Sequence, residues 1–545
     1  MNDFQVQEWE VWHTYTTYLD CPGLNLLTGA SKLVESEVAE CVVSSTGKTF
    51  WRSGEQVAQG ITHVSVDSQT GAGSFTLVAD DKSMGTPKGF ALEAWGQAAQ
   101  FFIGELHVLG EEHSFADEYI RAYLGKIVVK ATEGDRSTSE LNLYPILVIY
   151  QSGVLILELR MIGPSGSIPL SDFIQYAVNL PRMKLSTALV NPGLARNATA
   201  AYYRSTRIPF LRRCKYAWSQ ALHNLAIEQL TTQVQDEAFS FRLSPWSGEC
   251  DSLRSVAISI FHTCSYLITS PRVGMRFLLL GSKVPPNLGE FWSGRPHIHL
   301  IRFQDQRETA AENNETHAAS LSSILSRTPG HANALLNDLR LFEDYSAFVA
   351  ETASLWVWSL RGLKQERNRE DPNRGNFIYE RQALMELLEY GYMLHRGLYH
   401  RAEKLQSTGQ VMNVRRYVLQ LRLRMREVSH SGEIRNLLES GWSELGLSTL
   451  VSDIKDALAL REAEMRSVDT MRATRVGWAI AIVFGIVAIP ALADQIIIPA
   501  WHILKLHAVA DSDQMKLLAG GAATVCILAV LSIALWVLSM RDRRL

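Results

Sequence analysis

Two uncharged runs close to the C-terminal end constrain this chain more than anything else in it. Val476 to Ala493 (VGWAIAIVFGIVAIPALA) carries no charge, and past Asp494 and Gln495 the apolar character resumes at Ile496, Ile497 and Ile498. Leu517 to Met540 (LLAGGAATVCILAVLSIALWVLSM) is uncharged throughout. A helix needs about 20 apolar residues to cross a hydrocarbon core of about 30 Å. Both runs therefore read as transmembrane helices, over 476–498 and 517–540, with a pair of buried core helices as the bland alternative. Arg461, Arg466, Arg472 and Arg475 lead into the first run, and Arg541, Arg543 and Arg544 follow the second. The connecting loop, 499–516, offers only Lys505 and Lys516 against Asp511 and Asp513. Positive charge stays inside, which puts both termini in the cytoplasm and the loop outside, as in a multi-pass membrane protein. Within the first run Gly477, Ala481 and Gly485 recur every four residues on one face, a spacing that lets helices approach closely. Ordinary membrane-helix composition gives the same letters. Pro490 would end the regular ladder near the outer leaflet.

The other residues have the composition of folded protein. At 545 residues the chain has room for two or three domains. A net charge of −3 gives no electrostatic footprint for nucleic acid, so none is expected as a partner. Six cysteines stand singly, without a CxxC pair, as suits a reducing compartment. The start, MNDFQVQEWEVWHTY, has no basic segment followed by an apolar run, so no signal peptide is expected.

Organisation follows from periodicity. Strand-like runs occupy Ile61–Val66, Ser74–Ala79, Leu143–Ser152 and Val154–Met161, the last two as hairpin partners about Gly153. Further runs at Phe239–Leu243, Val256–Phe261, Phe277–Leu280 and His297–Phe303 also read as strands. Helices are expected at Leu92–Phe102 and Tyr216–Glu237. From Leu335 the pattern turns helical: one helix over Leu335–Gly362, a charged loop at Lys364–Asn376, then Tyr379–Ser407, Val411–Val428 and Glu433–Trp442. The last soluble helix starts near Ser443 and continues into the first apolar run. Leu447, Val451, Ile454, Leu458, Met465 and Val468 share one face of it, as in a stalk packed on copies of itself or on a soluble core. The fold class is thus α+β, followed by a helical stalk and two transmembrane helices. The expected segments are a 1–330 α/β domain (with a split near 200–235), a 331–442 helical arm, a 443–475 stalk, the membrane pair and a basic tail at 541–545.

That order of parts, with texture such as DTMRATRVGWAIAIVFGI, resembles the CorA family of divalent-cation channels over Tyr379–Leu545. The resemblance implies a homopentameric funnel whose first transmembrane helix continues the stalk and lines the pore. It also implies magnesium or another divalent cation as the transported ion. The family's Gly-Met-Asn motif at the outer end of that helix is missing, since the matching stretch reads Ala491-Leu492-Ala493-Asp494-Gln495-Ile496. Asp494 either supplies a ring of carboxylates at the mouth or simply marks the water interface. Motif-less relatives with enlarged cytosolic regions resemble membrane effectors of bacterial anti-phage systems, including those linked to type III CRISPR. In those, a small nucleotide signal is the implied trigger.

The residues spell out no catalytic constellation, and enzymatic activity is not expected. Gly47-Lys48-Thr49 mimics the end of a P-loop, but Val42 stands where the first glycine must be. His297 and His299 share one face of a strand and could share a metal, or form a structural or solvent-facing pair. Glu111-Glu112-His113 reads as a polar loop. Arg204, Arg207, Arg212, Arg213 and Lys215, interleaved with aromatics, suit a phosphate-bearing ligand or a lipid headgroup. A solvated helix-start face is the other reading of that cluster.

Overall fold

The computed structural model describes residues 4–492, apart from 20–23, 55, 67–72, 82–84, 110–115, 134–135, 138–139, 165, 206–242, 245–247, 250–251, 270–287, 290–294, 331–336, 341, 368–376 and 430. Beyond 492 it describes Gln495, Gly521 and Val525. The chain divides into two units, residues 1–404 with 412–457 and residues 405–411 with 458–545.

The first unit is built on one large mixed sheet. Its strands are β1 (Gln5–Tyr18), β2 (Cys41–Ser44), β3 (Lys48–Ser53), β4 (Gln56–Val66), β5 (Gly73–Ala79), β6 (Tyr119–Tyr123) and β7 (Ile127–Glu133). They continue with β8 (Leu141–Tyr150), β9 (Val154–Ile162), β10 (Lys184–Leu189), β11 (Pro296–Phe303), β12 (Tyr345–Val349) and β13 (Ser354–Trp358). The order across the sheet is β12-β13-β11-β1-β9-β8-β6-β2-β3-β4-β5, with β7 branching from β8 and β10 pairing with β7. β1 is central: it runs antiparallel to β9 through Trp12↔Arg160 and Thr14↔Glu158, and antiparallel to β11 through Trp12↔His297. Parallel pairing occurs between β11 and β13.

The helices are α1 (Leu26–Glu35), α2 (Phe90–Leu109), α3 (Pro192–Ser205), α4 (Leu253–Thr269), α5 (Ala310–Leu325) and α6 (Leu360–Arg367). After them come α7 (Phe377–Glu403), α8 (Thr408–Arg426), α9 (Gly432–Glu444) and α10 (Leu447–Leu492). The sheet's two faces differ in kind. One is aliphatic: Val11, Leu147, Ile149, Leu157, Leu159, Ile298 and Leu300 point into a single core shared with α1, α4 and residues 173–178. Each such side chain, fully buried, contributes about 1.5–3 kcal/mol. The opposite face carries Trp12, Trp51, Tyr123 and Trp358, and is covered by α2 and α7.

Most elements fall where periodicity puts them, with two corrections. Val256–Phe261 is not a strand but part of α4, whose buried Val256, Ala257, Ile260, Phe261 and Cys264 recur at helical spacing. A short apolar run has no period of its own to separate the two states. Leu335–Gly362 is not one helix, because Tyr345–Val349 and Ser354–Trp358 are strands joined about Ala350 and Ala353. Their aromatic and β-branched residues favour a pleated surface, and both strands are buried throughout. Of the charged loop, residues 364–367 belong to α6 and 368–376 lie outside the described residues. The strand expected at Phe277–Leu280, the helix at Tyr216–Glu237 and nearly all of Phe239–Leu243 also lie outside them.

α10 is a single helix of 46 residues. Its expected face begins buried, at Leu447, Ile454 and Leu458, and becomes exposed by Val468. Among the described residues, no helix is long and apolar enough to cross a membrane. The side chains of 485–492, the loop 499–516 and the run 517–540 (Gly521 and Val525 apart) lie outside the described residues.

The β8–β9 hairpin turns at Gly153, whose φ is +96°. A Cβ there would lie 2.3 Å from the Leu19 carbonyl oxygen. Gly153→Ala therefore combines left-handed strain with a backbone clash, and should lower stability by about 2 kcal/mol or more. Denaturant unfolding followed by tryptophan fluorescence measures the loss.

Candidate functional site

Alternation along the central strands sends every second residue to the face under α7, and several of those residues, set among the aromatics, are polar. β1 supplies Glu10 and Thr14, β9 Glu158 and Arg160, β11 His297 and β6 Arg121. From above, α7 lowers Tyr379, Gln382, Glu386 and Glu389, spaced by three and four residues so that they form one stripe. All of these side chains are buried.

The stripe pairs with the sheet group by group. Arg121 donates to Glu386 in a fork, Nη1 to Oε1 at 2.5 Å and Nη2 to Oε2 at 2.7 Å, with its guanidinium 3.8 Å above the Phe101 ring. Arg160 donates Nε and Nη2 to Glu10 at 2.9 and 2.7 Å, and Nη1 to the Tyr379 hydroxyl at 2.9 Å. Arg295 donates Nε to Glu389 at 2.9 Å. The Gln382 amide donates to Glu158 and, at 3.0 Å, to Nδ1 of His297. His297 Nε2 lies 3.4 Å from Glu389, so the imidazole accepts at Nδ1 and donates at Nε2.

Charge does not balance everywhere in this layer. Around Arg121 stand the carboxyls of Glu386, Glu105 and Glu158, and Glu386 takes the fork. Burial pushes Glu158 well above the usual carboxylate range, and the neighbouring Glu386 pushes it the same way. Burial likewise raises Glu105 to about 7, against the pull of Arg121 and of the Tyr119 hydroxyl that donates to it. Glu389 is the reverse case: burial would raise it, but Arg295 and His297 together hold it below its ordinary value. Burial lowers His297, and lowers His299 and His13 to about 3, so these rings are neutral near pH 7.

The arrangement can store a proton and lock a helix onto a sheet. It has no exposed nucleophile, and among the described residues no three His, Cys, Asp or Glu are grouped to hold a metal ion. His297 and His299 are fully buried rather than solvent-facing, and His299 lies parallel to the Trp356 ring at 6.4 Å. Gly47-Lys48-Thr49 is a strand–turn–strand corner: Gly47 has φ +81°, and the Thr49 hydroxyl bonds the Gly47 carbonyl and Thr62. A P-loop needs a helix after its lysine, and β3 occupies that place.

Of the residues singled out in the first uncharged run and just after it, Gly477 and Ala481 lie exposed on α10, and Gln495 is exposed beyond its end. Gly485 is in α10 with its surroundings outside the described residues, where Asp494 also lies. Arg204 is in α3, while Arg207, Arg212, Arg213, Lys215 and Glu111–His113 lie outside. Sequence reasoning missed the polar layer, because Glu-x-Trp and Glu-Leu-Arg alternation reads as a solvent face. The available signal was the matching stripe of α7, with carboxylates and an amide at core spacing. No family model, curated protein or solved structure matches this chain.

Removing one partner of a buried ion pair strands the other charge. Arg121→Met should cost about 3–5 kcal/mol, whereas Arg121→Met with Glu386→Met should recover most of that, as read by thermal unfolding. A carboxyl whose folded-state pKa is raised contributes stability at acid pH that disappears as pH climbs through that pKa. For Glu105 the window runs from 4.5 to about 7. Glu105→Gln should therefore gain stability relative to the parent as pH rises across that window, and a pH series of melting temperatures shows the gap widening.

Proposed function

We propose that this chain is a self-associating membrane protein of CorA-like type, whose soluble unit sets the state of a cation pathway. One observation carries the reading. α10 continues without a break past Arg475 into turns that hold no charge, and there it exposes Val476, Ile480, Val483 and Phe484 at 58, 51, 60 and 70 %. Such a surface is unfavourable in water, at about 25 cal/mol per Å² of apolar area, and suits lipid or a neighbouring helix. The flanking arginines and the second uncharged run support two transmembrane helices, 476–498 and 517–540, with both ends cytoplasmic.

Self-association has its own support. A Cβ added at Gly477 would meet nothing within 4 Å and Ala481 is exposed, which leaves room there for a second helix at close range; Gly485 continues the same small-residue spacing in the sequence. Asp494 and Gln495 follow directly and would ring the outer mouth of a pore. With no Gly-Met-Asn motif, divalent cations are the transported class on the family resemblance alone.

The soluble unit contains a mechanical route for gating. α7, clamped to the sheet by its polar stripe, packs on α9: the Trp442 indole donates to the Leu388 carbonyl at 3.2 Å, and Gly441 lies against the Leu388 side chain. α9 ends at Glu444, the chain turns at Gly446 with φ +73°, and α10 begins at Leu447. A ligand that favours one placement of α7 would bias the start of α10 by its differential affinity. A small nucleotide is the trigger implied by the resemblance, and membrane defence against phage is the corresponding role.

The mass of the purified protein in nanodiscs is the deciding measurement. A pentamer that passes magnesium or other cations in liposome flux assays supports the proposal. A monomer or dimer leaves no central pore, and a non-conducting tethered binding protein takes its place. Gly485→Leu is expected to abolish assembly or flux, and if both are unchanged the small-residue face plays no part.

A further inference from the structure

The exposed side of α8 has a composition that neither folding nor the pore accounts for. The helix, TGQVMNVRRYVLQLRLRMR, contains no acidic residue. Val411, Val418 and Leu421 are buried, which fixes the inward side. Outward, Met412, Leu419 and Leu423 are 67, 61 and 58 % exposed. Steps of seven and four residues place these three along one line of the helix surface. Arg422 and Arg426 run along one flank of this apolar ridge and Arg416 along the other, all of them exposed. Arg424 faces another way, 3.8 Å from Asp117.

We propose that this face of α8 docks on the surface of an anionic lipid bilayer, with the ridge among the upper acyl chains and the arginines at the phosphates. An apolar line flanked by guanidinium groups matches an interfacial helix, since each long arginine stem can lie along the acyl boundary while its charge reaches the headgroups. The absence of acid from Thr408 to Arg426 matches a negative surface. A folded protein partner fits less well: a stable interface buries about 800 Å² on each side, far beyond what three aliphatic side chains in a row provide. The docking goes beyond the pore reading and does not require it, because a basic amphipathic face binds anionic lipid whether or not 476–498 spans a membrane.

The test uses the full chain in nanodiscs of phosphatidylcholine alone or with phosphatidylglycerol, followed by amide hydrogen exchange. Phosphatidylglycerol should slow exchange across residues 412–426 on the order of tenfold, and high salt should reverse this. Arg416→Glu with Arg422→Glu, both at exposed positions, should abolish the slowing while leaving exchange in the sheet unchanged. Equal exchange in the two lipids overturns the docking, as does protection that follows protein density rather than lipid charge, which would mean a second copy on this face. If the chain does not enter discs, the transmembrane reading falls and flotation with the same vesicles decides. Flotation with phosphatidylglycerol vesicles that the double variant loses upholds the docking alone, and no flotation overturns both.

Discussion

The fork between Arg121 and Glu386 ties α7 to β6 of the sheet, and much else is arranged around it. Two charges this deeply buried are stable only with near-ideal geometry and further hydrogen bonds, because desolvation of each ion costs several kcal/mol. Here the guanidinium also faces Phe101, and the carboxyls of Glu105 and Glu158 complete its surroundings. The excess of carboxyl over guanidinium is absorbed by protons, on Glu158 above all. The layer is thus neutralised by titration as much as by pairing, which makes it sensitive to pH where an aliphatic core would not be.

Specific polar pairing also explains why α7 has one seat. An aliphatic interface tolerates sliding and repacking, whereas Tyr379, Gln382, Glu386 and Glu389 each meet a different partner on β9, β11, β6 or the Arg295 side chain. A displacement of one helical turn would break all four contacts and leave charges buried without partners. The opposite face of the sheet has no such demands, and there Leu, Ile and Val supply the bulk of the driving force. Stability thus comes mainly from one face, and from the other comes the placement of α7, to which α9 is tied by the Trp442 indole donating to the Leu388 carbonyl.

What could be read in the residues followed periodicity and length. The β8–β9 hairpin announced itself through Leu143–Met161 and Gly153, and α2, α7, α8 and α9 through their spacing. The failures share one cause: Val256–Phe261, Tyr345–Val349 and Ser354–Trp358 are short, mostly apolar stretches deep in the fold, where neighbours rather than local pattern choose between helix and strand. β1 escaped notice because QVQEWEVWHTYTTY mixes charge with aromatics, and only the presence of α7 above it turns Glu10 and Thr14 into core residues.

The sequence by itself determined the α+β class, the helical C-terminal region, the two uncharged runs and the arginines beside them, since composition and period are local properties. Tertiary structure alone decided that Glu10, Arg121, Glu158, Arg160, His297 and Glu386 form one buried layer. These residues are separated by up to 376 positions, from Glu10 to Glu386. Burial and pairing at such separations depend on the order in which strands line up across the sheet, and no local pattern encodes that order. The same holds for protonation: Glu105 and Glu389 are identical in chemistry, and only the neighbours folding brings to each send one carboxyl up and the other down.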